Sequence, residues 1–471
     1  MNDPNGLIYH DGEFHHFYQY NPFGPQWGHM SWGHAVSTDL VHWQELPVAI
    51  AEDWRVSIFS GSVVIDRRNR AGFGAGAWVA VYTGCVGLPV GGRQAQELAY
   101  STDRGRTWTK YEHNPVLDLG LRDFRAPKVF FHTRILRWVM VAALPAQRCV
   151  VFFTSHDLKC WSETSRFSLP LPGDWRSTWE SPDLIELPVP GERSTWMLKI
   201  DLLDRLDPGL SGGCGTRLLF GDFDGERFTL DTRSTPPGGA LADHGADFHA
   251  ALSWAGLPGW PIWIARMNNR RYARQVATRP WRGSMTLPRE ISLARGTDGH
   301  LHLRQFPVPA LRGLRRERFE HGSMTLARGK GRALLPPDAD GRALEIHLDG
   351  IEPGAGWQLH LRTGGDEFTR VGYYPARGIL YIDRGRSGHV PGDDAGFVAR
   401  SEAPCAPPRQ LRVWVDWASV EVFADDGSTV ISAQIFPNDG SRGVLLYASG
   451  GEASFASVCV WTLDAARFTQ A

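Results

Sequence analysis

Along the first 300 residues, short runs of Val, Ile, Phe, Tyr and Trp alternate with Gly, Asp and Asn punctuation. The runs fall at Leu7 to Tyr9, Phe14 to Tyr20, Trp78 to Thr83, Lys128 to Phe131, Trp138 to Ala143 and Val150 to Thr154. β-Branched and aromatic residues in runs this short, closed by turn formers, predict β-strands. No stretch carries the sustained 3.6-residue periodicity of a long amphipathic helix, so the expected class is all-β.

A turn signature recurs after the strand-like runs. It reads Ser37-Thr38-Asp39-Leu40-Val41-His42-Trp43, then Ser101-Thr102-Asp103-Arg104-Gly105-Arg106-Thr107-Trp108, then Ser155-His156-Asp157-Leu158-Lys159-Cys160-Trp161, with a degenerate copy from Gly221 to Phe228. Self-similarity at roughly 50 to 65 residues in an all-β chain is the mark of propeller blades, each a small antiparallel sheet packed on its neighbours. About five such units fit in residues 1–300, which predicts a five-bladed β-propeller whose innermost strands line a central funnel. After Pro288-Arg289-Glu290 the composition shifts, and the Pro-, Gly- and Arg-rich stretch from Phe306 to Arg316 places a linker at 301–317. Beyond it, alternating runs such as Ala343 to Leu348, Leu411 to Trp414 and Val420 to Phe423 predict a C-terminal β-sandwich over 318–471.

At 471 residues the chain exceeds the size at which a single core stops growing, in keeping with two domains. Lys and Arg number 50 against 51 Asp and Glu, so no net charge draws in nucleic acid or an anionic membrane, and a neutral partner is expected. The longest apolar stretch, Trp138 to Pro145, is far shorter than the ~20 residues of a membrane-spanning helix. Nineteen Trp, 11 Tyr and 23 Phe serve core packing, and also suit stacking on the apolar faces of sugar rings. The six cysteines lack C-x-x-C or paired-His spacing; this argues against a zinc site and a dense disulfide framework, and leaves one or two disulfides open.

Two acidic residues stand in short, Pro-containing contexts: Asp3 in Met1-Asn2-Asp3-Pro4-Asn5-Gly6, and Glu180 in Trp179-Glu180-Ser181-Pro182-Asp183. Alone, the first is ordinary turn chemistry and the second an ordinary surface glutamate. A propeller funnel would bring them face to face, and a facing carboxylate pair is what a two-carboxylate glycosidase needs.

These motifs belong to a longer ordered series: Gln19-Tyr20-Asn21-Pro22, Trp27-Gly28-His29-Met30-Ser31-Trp32-Gly33-His34, Phe59-Ser60-Gly61-Ser62, Phe124-Arg125-Ala126-Pro127-Lys128-Val129-Phe130, Trp281-Arg282-Gly283, Asp383-Arg384 and Ser419-Val420-Glu421-Val422-Phe423. Over nearly its whole length the chain resembles glycoside hydrolase family 32, the invertases, inulinases and levanases that act on β-fructofuranosides. The resemblance implies a five-bladed propeller plus β-sandwich, and a retaining enzyme acting on a small or polymeric fructoside without metal or organic cofactor. It implies Asp3 as nucleophile at the anomeric C2 and Glu180 as general acid/base, with their carboxyl groups ~5 to 5.5 Å apart. Glu180 is then expected to have a raised pKa, from an apolar wall and the nearby Asp3. Asn2, Gln19, Trp27, Phe59, Ser62 and Arg125 match family positions that bind fructose or wall its pocket.

The chain also departs from the family. Where the pattern is Phe-Arg-Asp-Pro-Lys-Val, with an Asp that grips two fructose hydroxyls, this chain has Ala126. Losing two charge-assisted hydrogen bonds at roughly 1.5 to 3 kcal/mol each costs about two to four orders of magnitude, so a slowed enzyme is expected. Asp123 lies three residues away, with Arg125 and Pro127 holding the register against it. Ser181 stands where many members have Cys, and Arg266 and Arg270 flank Met267-Asn268-Asn269 where Trp is frequent, which bears on the leaving-group preference. A nucleophile two residues from a chain end would fray, and family members carry an upstream segment, so Met1 is open to reading as an internal methionine with a leader lost before it. Besides hydrolysis, the same scaffold allows fructosyl transfer, and Ala126 motivates a non-catalytic fructan-binding protein. Substrate choice, oligomeric state and localisation are not legible.

Overall fold

The computed structural model describes residues 1–87, 92–169, 177–203, 213–259 and 261–470. Among the described residues the regular secondary structure is almost wholly antiparallel sheet, as the alternation predicts. Five sheets follow one another through residue 307. Their first strands are β1 (Pro4–His10), β2 (Ser57–Asp66), β3 (Arg125–His132), β4 (Thr178–Leu187) and β5 (His249–Ser253). Each sheet grows by hairpin steps; in the first, β1 pairs with Glu13–Tyr20, which pairs with Ser31–Ser37, which pairs with Trp43–Ile50.

The recurring turn signature is the hairpin between the third and fourth strands of a sheet. Ser37 Oγ accepts from Leu40 N (2.8 Å), Asp39 Oδ1 accepts from Val41 N and His42 N (2.8 Å each), and Trp43 Nε1 donates to Leu40 O (3.2 Å). Ser155, Asp157 and Trp161 repeat this pattern in the third sheet, and Ser101, Asp103 and Trp108 a variant of it in the second. Short polar side chains that bond the backbone locally make the turn, and the indole ties its exit to the next strand.

Apolar clusters lie between consecutive sheets. Trp32, Ile58 and Trp78 join the first and second, Val81, Val129 and Met140 the second and third, Val141, Leu184 and Ile200 the third and fourth, and Met197, Leu218 and Trp263 the fourth and fifth. At roughly 1.5 to 3 kcal/mol per fully buried large side chain, these layers dominate the packing energy. The first strands contact one another in series, and β5 returns to β1. There Tyr9 N donates to Ala255 O (2.9 Å) and Ala255 N to Leu7 O (3.0 Å).

Two six-stranded sheets follow, with Leu344, Ile346, Trp357, Leu359 and Leu446 in the core between them. The expected linker at 301–317 is mostly strand. Leu301–Pro307 closes the fifth sheet, burying Leu301, Leu303 and Gln305, and Arg315–Leu326 opens the next, so only 308–314 connects the two. Its Pro, Gly and Arg content hid the alternation. The final strand, Phe468–Gln470, runs back parallel to Trp43–Ile50. All six cysteines are unpaired, so the disulfides left open by the sequence do not form.

Two buried arginines fasten the sets of sheets together. Arg289 meets Asp243 (3.0 Å), Glu421 (2.6 Å) and Ser432 (2.6 Å). Arg384 meets Asp247 (2.6 Å), the Tyr272 hydroxyl (2.8 Å) and Gln434 O (2.9 Å).

Candidate active site

The pairing of all five first strands breaks near their N-terminal ends, at Asn5/Ile8, Ile58/Gly61, Arg125/Lys128, Glu180/Asp183 and His249/Leu252. Bulges of this kind bend a strand and re-aim its side chains. Four contain a left-handed residue: Gly6 (φ 51°), Ala126 (59°), Ser181 (46°) and Ala250 (55°). In three of these four the residue before the left-handed one, Arg125, Glu180 or His249, reaches one cleft of ≈ 630 Å³, as does Asp3; in the first it is the buried Asn5.

The cleft collects most of the residues expected from sequence. Asn2, Asp3, Gln19, Trp27, Phe59, Arg125, Ala126 and Glu180 all line it. Asp3 does not sit on a loose end: Asn2 N donates to Gln19 O and Gln19 N to Asp3 O, both at 3.0 Å. Trp27 and Phe59 meet edge to face, 6.3 Å between centroids, as an aromatic wall. Ser62 is the exception. It is buried, donates to Pro127 O (3.0 Å) and accepts from Val129 N (2.9 Å), so it pins β3, and Ser60, two residues earlier, lines the cleft instead. A shared face along a strand does not say how far along it the cleft reaches.

Asp3 Oδ1 meets Arg266 Nη1 at 3.1 Å. Glu180 Oε1 meets Arg125 Nη2 at 2.5 Å, with Arg270 Nη1 at 3.6 Å. The expected raised pKa of Glu180 is not what this environment produces. Burial pushes its carboxyl up, but Arg125, Arg270 and His249 outweigh burial and hold it below the usual carboxylate range. Conversely, burial lowers the Arg125 pKa, and Glu180 and Asp123 raise it by more, leaving a firmly charged guanidinium.

Ala126 lies on the cleft floor, its backbone N donating to Thr83 Oγ1 (3.0 Å). Beneath it and Asp3 is a niche of ≈ 10 Å³, about the room one water needs. Asp123 is engaged with Arg125 at 2.5 Å. Among the described residues, no group of three or more His, Cys, Asp or Glu is placed to hold a metal ion.

Several lining residues were not found from sequence: His249, Gln94, Arg122, Arg274 and the side chain of Arg282. His249 holds the same bulge position in β5 that Glu180 holds in β4, an equivalence that shows only once both strands are paired. The arginines lie on loops whose approach to the cleft leaves no local pattern.

Residues 1–307 match the family model described as "Glycosyl hydrolases family 32 N-terminal domain", and 313–462 the one described as "Glycosyl hydrolases family 32 C terminal". The levanase of Bacillus subtilis (strain 168) is 40% identical over 479 residues, covering 98% of this chain and 68% of that protein. The extracellular exo-inulinase of Aspergillus awamori is 34% identical over 490 residues, covering 96% and 90%. Among solved structures, exo-inulinase from Aspergillus awamori superposes with a TM-score of 0.89 at 32% identity, covering 99% of this chain and 96% of that one. The β-fructofuranosidase from Schwanniomyces occidentalis complexed with fructosyl-erythritol gives 0.86 at 28% identity, covering 98% and 95%.

Proposed function

The chain belongs to glycoside hydrolase family 32, and on that footing we propose that it is a retaining β-fructofuranosidase slowed by Ala126. The observation that carries the reading is the meeting of Asp3 and Glu180, from the first and fourth sheets, in one arginine-lined cleft. Asp3 carboxylate attacks C2 of a terminal fructosyl unit while Glu180 protonates the departing oxygen and the C2–O bond breaks. Glu180, now a carboxylate, takes a proton from water, whose oxygen attacks C2 and releases Asp3. Asn2, Gln19, Trp27 and Phe59 wall the fructose, and Arg125 holds Glu180 in place. The substrate is sucrose, inulin or levan, in line with the names of the relatives.

The five sheets, with first strands in cyclic contact, are read as the five blades of a propeller, and the two six-stranded sheets as a sandwich. The boundary between the two domains is placed at 308–314. Ala126 supports the slowed state in two ways. It offers no acceptor for fructose hydroxyls, and its left-handed backbone suits Asp, Asn or Gly better than Ala. The same residue favours a second reading, a fructan-binding protein without turnover.

Fructose release from sucrose, inulin and levan, measured for this chain and its Ala126→Asp variant, separates the two. A gain of about two to four orders of magnitude in the variant, at unchanged thermal stability, is the expected result. Fructan binding with no turnover in either protein would establish the second reading.

A further inference from the structure

One buried ion pair holds the two bulges that aim Glu180 and His249 into the cleft. Lys199 and Asp201 lie on the second strand of the fourth sheet, Thr195–Leu203, and both side chains are 0% exposed. Asp201 pairs opposite Glu180 and Lys199 opposite Asp183, so the two bracket the bulge at Ser181. Lys199 Nζ donates to Ser181 O at 2.6 Å and to Asp201 Oδ2 at 2.8 Å. The same Oδ2 accepts from Ala250 N at 3.0 Å, and Asp201 Oδ1 accepts from Thr216 Oγ1 at 2.5 Å. Ser181 directly follows Glu180, Ala250 directly follows His249, and both are left-handed. That conformation is strained for a residue with a Cβ and persists only where its surroundings hold it.

Holding one bulge does not require charge. In the third sheet, Ala126 N donates to the neutral Thr83 Oγ1 at 3.0 Å, from the second strand of the sheet before it, Ala77–Val86. Asp201 makes the matching contact from the fourth sheet to the fifth. What it adds is Lys199, whose ammonium ties the same carboxylate to the carbonyl next to Glu180. Two fully desolvated charges are costly, and an apolar pair of similar volume is often as stable or more so. Stability alone therefore does not account for the pair, whereas its geometry joins the backbone under Glu180 to the backbone under His249. The buried Nε2 of His249 has no hydrogen-bond partner among the described residues, which leaves the backbone that Asp201 holds as its polar anchor.

We propose that Lys199 and Asp201 are positioning residues for hydrolysis: they fix the aim of Glu180 and keep His249 in register with it across the fourth and fifth sheets. Neither lines the cleft, so they act through the two bulges and not on the sugar. The proposal rests on the fructosidase reading, in which Glu180 is the general acid/base.

The test measures kcat, KM and the pH profile of kcat/KM on whichever of sucrose, inulin and levan is cleaved. The full chain and its Ala126→Asp variant are the parents, each with and without Lys199→Met/Asp201→Asn. That double change strands no buried charge and keeps an acceptor at 201, but removes the donor to Ser181 O. The expected result is a fall of about tenfold or more in kcat, with KM within about twofold and the urea midpoint near the parent's. The alkaline limb of kcat/KM should move to higher pH, because a Glu180 released from its seat against Arg125 is less favoured as a carboxylate. Lys199→Met alone strands Asp201 and should lower the urea midpoint, so stability and activity separate between the single and double variants. Parental kcat and an unmoved limb in the double variant overturn the proposal and leave the fructosidase reading standing. If the double variant does not fold, the isosteric Thr216→Val decides; it frees one oxygen of Asp201, and an unchanged kcat there overturns the proposal as well. No fructose release by either parent overturns both readings.

Discussion

Two sets of arginine–carboxylate contacts can be compared in this molecule: the clamp between the sets of sheets, and the cleft. In the clamp, Arg289 and Arg384 are 0% and 1% exposed, and each meets a carboxylate and further acceptors within 3.0 Å. In the cleft, Arg125 and Arg266 are 20% and 18% exposed, and they share the space with guanidiniums that have no carboxylate partner among the described residues. A dry ion pair persists only when its hydrogen bonds are filled, because each desolvated charge costs several kcal/mol. The clamp meets that condition at every polar atom of its two guanidiniums except Arg289 Nε, which is buried without a partner, and it acts as structure. The cleft leaves Arg122 and Arg274 exposed to water and without a carboxylate partner among the described residues, so their donors are open to a ligand.

The difference can be broken from either side. The largest effect is expected at Asp3, the proposed nucleophile. In the Ala126→Asp background, Asp3→Asn should lower kcat for fructose release by at least about ten-thousandfold while leaving the urea midpoint unmoved. A large stability change there would make the cleft pair a structural one. Next comes the clamp. Arg384→Met strands Asp247 and should cost about 3 to 5 kcal/mol in urea unfolding. It should also loosen Tyr272 and the cleft arginines beside it, read as a rise in KM larger than the fall in kcat.

The smallest effect concerns pH. Arg125 and Arg270 favour the ionised form of Glu180, so the acid is lost at a lower pH than for an ordinary glutamic acid. Removing that charge raises the pKa, and the alkaline limb of kcat/KM should move to higher pH in Arg270→Gln. Placing a negative charge at 126 acts in the same direction, so Ala126→Asp should shift the limb the same way. A limb that stays put in both variants would mean that another group sets it.

The parts of this molecule legible in the sequence are those governed by neighbours a few residues apart. Ser37-Thr38-Asp39 reads as a turn because its side chains bond its own backbone, and it is a turn. Leu301 to Pro307 alternates as a strand should, yet the Pro-, Gly- and Arg-rich stretch that begins at Phe306 obscured it. Ser62 was assigned to the cleft from its motif and instead pins β3 through Pro127 and Val129, a contact across 65 residues. His249 went unseen because its bulge shows only once β5 is paired.

The sequence by itself determined the all-β class, the repeating hairpin and the motifs that carry Asp3, Glu180 and Ala126. Steric preference and local hydrogen bonding act within a few residues, so these survive in one dimension. Only the tertiary structure decided that the Glu180 carboxyl is held below the usual carboxylate range, that six arginines share its cleft, and that Arg384 bonds the Tyr272 hydroxyl beside them. Electrostatics sums over every charge within about 10 Å, whatever its distance along the chain, and that sum exists only after folding.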